Sequence, residues 1–443
     1  MINAFWHNKH RKVQLMKKNT VINDLSSFIT ASPSPFQAVA EGIRRLEGAG
    51  FRSYTPGDAV SYGDKLYFSA SGVSLFAFNI GDKPAGKKGL KINLAGAHID
   101  SPCIHIKPNP EMKNKGYLRL NADVYGGPIV NTWLDRPLSI AGCVAVKDKA
   151  GKVSLELFDA KAPVVTIPNL AIHMNREVNK GVELNRQTDI LPLIGLSDEK
   201  AQGEFTAYLA KQLKVATGDI VDFDLYIYNF EQPCLVGIDN EFFSAPRLDD
   251  LTSAHALLAG IAEKPAKGTL NVAAFFNNEE VGSLSANGAD SRILPMLLES
   301  IYEALGRSRS SLNADILGGT LLSLDVAHAL HPNMTGKYDP TNFALMGDGV
   351  VFKLNSNQKY INDLSVLAKL EVLCEKNGIP YKRFVNRSDV AGGGTIGNVL
   401  ASWLPMPGLD LGLPILAMHS ARETMGTNDQ EALIKLLIAF FTK

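Results

Sequence analysis

Short apolar runs and amphipathic helical patterns alternate near both ends of the chain. The run 91–97 (KINLAGA) is apolar, short and bounded, which is typical of a buried strand. Similar runs cover 270–276, 320–324 and 414–418. Helical spacing of apolar residues predicts helices that start after Ser34, start at Leu251 and cover 362–376. This alternation predicts an α/β sheet with helices on both faces.

The pattern changes between residues 105 and 238. Segment 118–124 (LRLNADV) alternates with a period of two, and segment 153–157 (VSLEL) follows a turn-like stretch. This alternation of apolar and polar residues, with a turn between the segments, predicts an antiparallel sheet. The simplest organisation is one α/β domain, residues 21–104 plus 239–443, interrupted by a mostly β insertion at 105–238.

Composition and charge narrow the function. The 443 residues carry 45 Lys plus Arg and 45 Asp plus Glu, so a formal charge of zero argues against nucleic acid or a membrane surface as partner. No apolar run approaches the roughly 18 residues that a membrane span requires. The four cysteines form no CxxC pair, which favours a reducing compartment, and we expect the cytoplasm. Residues 1–20 are basic and lack an apolar core, so we expect a disordered extension.

Metal-competent side chains follow four of the predicted strands. Ligands of an open α/β sheet bind outside the carboxyl ends of its strands, so side chains in these positions can converge. One more carboxylate opens a predicted helix, where the helix dipole favours negative charge. The side chains after strands are His98, Glu279 with Glu280, Asp325 and His419, and the one that opens a helix is Asp249.

Two short motifs suggest roles. His98 and Asp100 share a face of an extended segment, so the Asp100 carboxylate can hold one imidazole nitrogen while the other binds a metal. The alternative is a chance pair at a strand end. Adjacent Glu279 and Glu280 repel unless a cation separates their roles, one as ligand and one as general acid and base. The alternative is that one of them caps the next helix.

Two histidines and three carboxylates suit a pair of divalent ions about 3.5 to 4 Å apart with one bridging carboxylate. The mixed ligand set admits Zn, Mn or Co. The predicted ligands are His98, Asp249, Glu280, Asp325 and His419.

Five segments resemble the M18 metallo-aminopeptidases, specifically the aspartyl aminopeptidase group. The resemblance runs from about residue 20 to the C-terminus, with the motifs in the family's order. The matching segments are 96–102 (GAHIDSP), 244–250 (SAPRLDD), 278–283 (NEEVGS), 325–333 (DVAHALHPN) and 417–420 (AMHS).

The resemblance implies a role for each site residue. It assigns His98, Asp249 and Asp325 to one metal, with Asp249 bridging to a second metal that Glu280 and His419 also hold. It makes Glu279 the catalytic acid and base, and Asp100 the partner of His98.

The resemblance also implies a metallopeptidase-type fold whose insertion is a dimerisation domain, with dimers building a tetrahedral dodecamer. Within the insertion, segment 169–174 (NLAIHM) matches a stretch whose histidine, here His173, reaches a neighbouring subunit's site. In segment 350–355 (VVFKLN), Lys353 matches the lysine that meets an acidic substrate side chain.

We therefore expect a cytoplasmic dinuclear metal aminopeptidase that removes N-terminal, acidic residues from short peptides. Three alternatives remain open from the sequence. They are an aminopeptidase that prefers apolar N-terminal residues, a related deacylase acting on N-acyl amino acids, and a noncatalytic protein that has kept the fold.

Overall fold

The computed structural model of this protein describes residues 20–86, 88–198 and 200–443. The predicted disordered extension, residues 1–20, lies outside the described residues except for Thr20, where the described part of the first helix begins. None of the helices in the described part of the chain is long and apolar enough to cross a membrane.

The helices follow the predicted spacing closely. The helix expected after Ser34 begins at Pro35, a residue that fits the first helical position because its missing N–H needs no partner there. The helix expected over 362–376 begins one residue after Asp363, whose side chain accepts the N–H groups of Ser365 and Val366. The helices are α1 (20–31), α2 (Pro35–Gly48), α3 (Glu204–Leu213), α4 (Leu248–Ile261), α5 (Ile293–Ala304), α6 (Arg309–Leu317), α7 (Leu364–Asn377), α8 (Ile396–Trp403) and α9 (Asp429–Phe441).

The strands form three sheets. In chain order they are β1 (Arg52–Ser53), β2 (Lys65–Ala70), β3 (Ser74–Ile80), β4 (Lys91–His98), β5 (Cys103–Asn114), β6 (Tyr117–Tyr125), β7 (Leu138–Lys147), β8 (Val153–Asp159), β9 (Leu193–Leu196), β10 (Ile220–Asn229), β11 (Cys234–Val236), β12 (Phe242–Ala245), β13 (Thr269–Phe276), β14 (Thr320–Leu324), β15 (Ala327–His328), β16 (Val350–Leu354), β17 (Tyr381–Val385), β18 (Gly408–Gly412), β19 (Pro414–Leu416) and β20 (Glu423–Gly426).

The largest sheet has nine strands in the order β1-β2-β3-β13-β4-β14-β18-β16-β17. Its centre is parallel, because β13, β4, β14 and β18 all run the same way, so their carboxyl ends lie at one edge. Alternate residues of β13 enter two separate cores, Ala273 and Phe275 on one face and Val272 and Ala274 on the other. Helices α2, α4, α7 and α9 pack in the first core and α5, α6 and α8 in the second. The predicted α/β sheet with helices on both faces is confirmed.

A second sheet has six antiparallel strands in the order β8-β7-β10-β5-β6-β9. All of its strands lie between residues 103 and 229, and they enclose a core of their own with α3. The mostly β structure predicted for 105–238 is therefore present. The division of the chain into two domains, with the insertion used for dimerisation, stays a prediction.

The third sheet differs from expectation. The run 414–418 was predicted to be a strand of the main α/β sheet, but it ends at Leu416 and β19 pairs with β20 and β15 in a separate five-stranded sheet. Ala417 and His419 have φ of 59° and 67°, so a left-handed turn brings the chain back on itself. His419 therefore lies in a tight connection between two short strands.

Candidate metal centre and active-site cleft

A cleft of about 610 Å³ opens at the carboxyl edge of the parallel strands. β4 ends at His98, which lies opposite Phe276 at the end of β13, and the segments after these strands enter the same space. The cleft is lined by all five predicted metal ligands together with Glu279 and Lys353, namely His98, Asp249, Glu279, Glu280, Asp325, Lys353 and His419. Asp100 and His173 are not among the lining residues.

Asp249 connects two groups of candidate ligands. His98, Asp249 and Asp325 offer ligand atoms within 4.8 Å of one another, and so do Asp249, Glu280 and His419. Oδ1 of Asp249 lies 3.1 Å from Nε2 of His98, and its Oδ2 lies 3.4 Å from Nε2 of His419. The two oxygens thus face opposite groups, as a bridging carboxylate requires. A third group, His98 with Glu279 and Glu280, meets the same distance limit, so the assignment of ligands remains a prediction.

Two buried oxygens in these groups make no hydrogen bond within the described residues, Glu280 Oε1 and Asp249 Oδ1. Asp249 Oδ1 has the ring nitrogen Nε2 of His98 3.1 Å away, so the uncompensated oxygen is that of Glu280. A buried carboxylate oxygen without a donor or cation is costly, by about 1 to 3 kcal/mol or more. Imidazole nitrogens and carboxylate oxygens are also the ligands that Zn²⁺ uses in catalytic sites. The residues present therefore fit bound divalent cations.

The titration behaviour of the cleft reflects crowded carboxylates. Burial, followed by the charge of Asp249, raises the pKa of Glu280 to about 9. Burial opposes protonation of His419, but the hydrogen bond to Asp249 and the charge of Glu280 raise its pKa to about 10. Burial would raise the pKa of Asp249, yet its contacts with His419 and His98 hold it well below its usual value. Excess negative charge in this cleft is what bound cations would neutralise.

Glu279 begins a short 3-10 turn, Glu279–Val281, which is separated from the end of β13 by Asn277 and Asn278. Burial, together with the charges of nearby aspartates, raises the pKa of its carboxyl to about 7. The alternative that Glu279 or Glu280 caps the next helix is not what the structure shows, because both residues lie within this turn and line the cleft. A carboxyl with such a pKa can both accept and release a proton near neutral pH.

Asp100 contacts His98 mainly through its backbone. Nδ1 of His98 lies 3.0 Å from the Asp100 carbonyl oxygen and 3.6 Å from its carboxylate. The carboxylate instead accepts the N–H groups of Glu279, at 3.2 Å, and Glu280, at 3.1 Å. Asp100 therefore links the orientation of the His98 ring to the turn that carries the two glutamates.

Sequence reasoning missed two residues that support this site. The Tyr125 hydroxyl, at the end of β6, donates to Asp100 at 2.6 Å. Glu423 accepts the backbone N–H groups of both Asp249, at 3.0 Å, and His419, at 2.8 Å. The sequence could not indicate either contact. Tyr125 binds a residue 25 positions away in another part of the fold. Glu423 binds backbone N–H groups, which almost every residue offers.

Lys353 lies in β16 and is only 2% exposed. Its ammonium donates to Asp325 Oδ2 and to the Val326 carbonyl, both at 3.1 Å, and it lies 5.1 Å from the Tyr360 ring. The charges of Asp325 and Asp410 outweigh burial and raise its pKa well above the usual range. Among the described residues that line the cleft, Lys353 is the one Lys or Arg.

His173 lies on an exposed turn of the insertion. Upstream of it, Val165 and Ile167 are buried in the core of the six-stranded sheet. Leu170, Ile172 and Met174 are exposed on either side of His173.

Comparisons with known proteins agree with this geometry. Residues 28–441 match the family described as aminopeptidase I zinc metalloprotease (M18). A "Probable M18 family aminopeptidase 2" from Clostridium novyi is 40% identical over 425 residues, covering 95% of this chain and 98% of the relative. The cryo-EM structure of the Ape4 and Nbr1 complex superposes with a TM-score of 0.91 at 32% identity, covering 96% of this chain and 86% of that one. The structure of an S. cerevisiae mApe1 dodecamer gives 0.83 at 26% identity, covering 95% and 96%.

These matches span nearly the whole chain, and they coincide with a cleft that brings together the ligand types of a zinc peptidase. They favour the aminopeptidase over the deacylase and noncatalytic alternatives. The chain belongs to the M18 family of zinc aminopeptidases and is a peptide hydrolase.

Proposed function

We propose that this protein is a dinuclear metal aminopeptidase that removes acidic N-terminal residues from short peptides. The observation that carries the dinuclear assignment is Asp249, whose two oxygens face His98 and His419 in separate groups of ligands. A single ion would leave one of these groups uncompensated.

The chain offers a complete set of protein ligands for two ions. His98, Asp249 and Asp325 would hold one, and Asp249, Glu280 and His419 the other. When bound, such ions would polarise the scissile carbonyl and lower the pKa of the attacking water. Zinc is the family's metal, with Mn and Co as alternatives. Metal analysis of the purified protein tests this: two equivalents per chain support the proposal, and one equivalent contradicts it.

Glu279 would carry the proton transfers. It lines the cleft beside the ligands, and its pKa of about 7 suits a group that takes a proton from water and delivers it to the leaving amine. Asp100 holds the backbone of the turn that positions it.

Lys353 would give the preference for acidic residues. An ammonium group has three N–H donors, and two of them are used by Asp325 and Val326. The third would bind a substrate carboxylate, and a charge-assisted bond in a closed pocket contributes roughly 1.5 to 3 kcal/mol. We therefore expect Asp or Glu substrates to be preferred about ten- to a hundredfold over Leu.

A panel of unblocked aminoacyl substrates tests this preference in wild type, Lys353→Met and Lys353→Arg. Loss of the lysine will also disturb Asp325, which should lower activity on every substrate alike. The informative quantity is therefore the ratio of kcat/KM for Asp to that for Leu. We expect Lys353→Met to lose the preference and Lys353→Arg to keep part of it. An unchanged ratio in Lys353→Met rejects the role.

An apolar preference is the second candidate. Tyr360, Phe384, Val399 and Met418 also line the cleft, and they would pack against an apolar side chain. The same panel separates the two, because this candidate predicts that wild type favours Leu or Phe over Asp.

We also propose that the subunits self-associate, with dimers building a tetrahedral dodecamer. The dodecameric relative and the exposed apolar side chains around His173 support this proposal. Light scattering should then give about twelve times the 47.9 kDa subunit mass, and a monomer mass contradicts it. We also propose the cytoplasm as the compartment, because all four cysteines are free.

A further inference from the structure

The inserted segment of the chain reaches the metal centre through the residues that follow β6. Segment 126–132 leaves the six-stranded sheet after Tyr125 and forms hydrogen bonds with the loop 417–421, which carries His419, before the chain returns to that sheet in β7. Gly127 and His419 are 292 positions apart in sequence. The contact therefore joins the two parts of the chain that were predicted to be separate domains.

The first contact fixes the ring of His419. Its Nδ1 lies 3.1 Å from the Gly127 carbonyl oxygen, which can only accept, so Nδ1 carries a proton. In the neutral ring that binds a metal, Nε2 is then the free nitrogen, and it faces Asp249 Oδ2 at 3.4 Å and Glu280 Oε2 at 3.5 Å. These groups would share the second ion. The carbonyl therefore selects the tautomer and the ring orientation that a ligand needs there.

Further hydrogen bonds hold the backbone of the same loop. His419 lies outside the strands, because β19 ends at Leu416 and β20 begins at Glu423. The N–H of Ile129 donates to the His419 carbonyl at 2.9 Å. The Thr132 hydroxyl accepts the N–H of Ala421 at 2.9 Å and donates to the Ile129 carbonyl at 2.6 Å. One side chain, that of Thr132, therefore links segment 126–132 to the His419 loop.

Gly126 confines Glu280, the other ligand assigned only to the second ion. A Cβ at Gly126 would lie 3.1 Å from the Glu280 Cβ, which is tighter than ordinary van der Waals contact. Gly126 also has a φ of 70°, a conformation that other residues rarely adopt. The close approach to Glu280 therefore depends on a glycine at this position.

These contacts are restricted to one of the two groups of ligands. Within the described residues, no hydrogen bond or ion pair joins segment 126–132 to His98 or Asp325, which are assigned to the first ion alone. Loss of the contacts should therefore affect the second ion more than the first.

We propose that segment 126–132 positions His419 and Glu280 and thereby sets the affinity of the second metal ion. The inference rests on the dinuclear site of the proposed function. Groups that orient a metal-binding histidine typically contribute about 10- to 100-fold in metal affinity. The insertion would then support the chemistry of its own subunit in addition to the assembly proposed for it.

Zinc binding measured against a series of competing chelators tests the proposal, because it gives the affinity of each equivalent independently of activity. His419→Ala identifies the equivalent that corresponds to the second ion. Thr132→Val removes the hydroxyl at nearly constant shape, and Thr132→Ser retains it. Thr188→Val is the matched control, since Thr188 lies in the insertion and its hydroxyl donates to the adjacent Asp189 at 2.9 Å.

We expect Thr132→Val to bind the second equivalent about tenfold more weakly than wild type and to bind the first unchanged. Thr132→Ser and Thr188→Val should match wild type for both equivalents. Gly126→Ala acts at a separate point, on Glu280, and should weaken the same equivalent as Thr132→Val. The test therefore still holds if Thr132→Val fails to fold.

The inference and the dinuclear site fail in different ways. If His419→Ala loses one equivalent but Thr132→Val and Gly126→Ala bind both as tightly as wild type, or weaken both equally, only the inference is overturned. If wild type binds a single equivalent, or His419→Ala binds two as tightly as wild type, the dinuclear site is overturned and the inference with it.

Discussion

Two acids of the cleft, Asp249 and Glu279, differ in what their removal should do. Asp249 is nearly fully buried, and each of its oxygens faces a different histidine, so both candidate metal sites depend on it. Glu279 belongs to neither of the two groups that share Asp249. Removal of Asp249 should therefore empty the cleft of metal, whereas removal of the Glu279 charge should not.

We predict that Glu279→Gln keeps two metal ions and the thermal stability of wild type but loses activity. General acid and base catalysis contributes about 10² to 10⁴-fold, and the loss should be at least of this size. Asp249→Ala should lose both ions. Metal analysis and kcat measured on the same preparations check this pair. A metal-free Glu279→Gln beside a fully loaded Asp249→Ala would show that the roles are assigned wrongly.

At the scale of secondary-structure elements, a polar cluster around the buried ring of His255 attaches α1 to the body of the protein. Asp24 of α1 accepts from His255 of α4 at 2.8 Å and from both terminal nitrogens of Arg45 in α2 at 2.9 Å. Gln430 of α9 donates to the other ring nitrogen of His255 at 3.0 Å. His255 therefore uses both nitrogens as a neutral ring, with Nε2–H as donor and Nδ1 as acceptor.

This cluster should make stability depend on pH in a defined direction. Burial lowers the pKa of His255, while the ring in the unfolded chain titrates at about 6.5. Below that pH the unfolded chain binds a proton that the folded protein excludes, so stability is lost as the pH falls. Above it, the contribution of the neutral ring is fully present.

We predict that His255→Asn unfolds more easily than wild type at pH 7.5, by about 1 to 2 kcal/mol for the lost buried hydrogen bonds. The difference from wild type should shrink between about pH 6.5 and 5. Urea unfolding at several pH values measures it. A difference that stays constant, or grows as the pH falls, would contradict the neutral assignment of His255.

At the scale of the whole molecule, the cleft of one subunit lacks His173, one of the predicted site residues. His173 does not line the cleft of its own chain, although the family resemblance assigns it to an active site. It lies on an exposed turn of the insertion between exposed apolar side chains, which is a suitable position for contact with another subunit. We propose that His173 completes the neighbouring site and hydrogen-bonds the oxyanion of the tetrahedral intermediate there.

We predict that two inactive variants, His173→Phe and Glu279→Gln, recover activity when they are mixed and reassembled. Some interfaces in the mixture will join an intact Glu279 to an intact His173 from the partner. One such oxyanion donor contributes about 10² to 10³ in rate, so recovery should be well above background. Activity after subunit exchange, verified by native mass spectrometry, is the measurement.

A properly assembled but inactive His173→Phe that shows no recovery after exchange would place His173 within its own subunit. Retained activity in His173→Phe alone would leave it with a structural role at an interface. Reassembly of each variant with itself is the control for both outcomes.

Local patterns were sufficient for the strands and for the side chains that follow them. A buried strand has a short, continuous apolar sequence because both of its faces are covered, as in β4, β13 and β14. The carboxyl ends of parallel strands meet at one edge, so His98 and Asp325 were expected to lie close together, and their side chains lie 4.0 Å apart. Periodicity and chemistry along the chain determine these features without knowledge of distant contacts.

Only the tertiary structure decided how the site is held. β19 pairs with β20 and β15 and not with the main sheet. The apolar run 414–418 could not predict this, because an apolar run indicates a strand but does not specify which strand it pairs with. Tyr125 reaches Asp100 from another sheet, and Glu423 binds the backbone of two ligand residues. The strand pattern alone does not distinguish Lys353 from an exposed lysine. Its burial follows from the pairing of β16 with β18 and from its ion pair with Asp325. Local periodicity specifies which face a residue occupies, whereas its partner across the fold depends on how the whole chain packs.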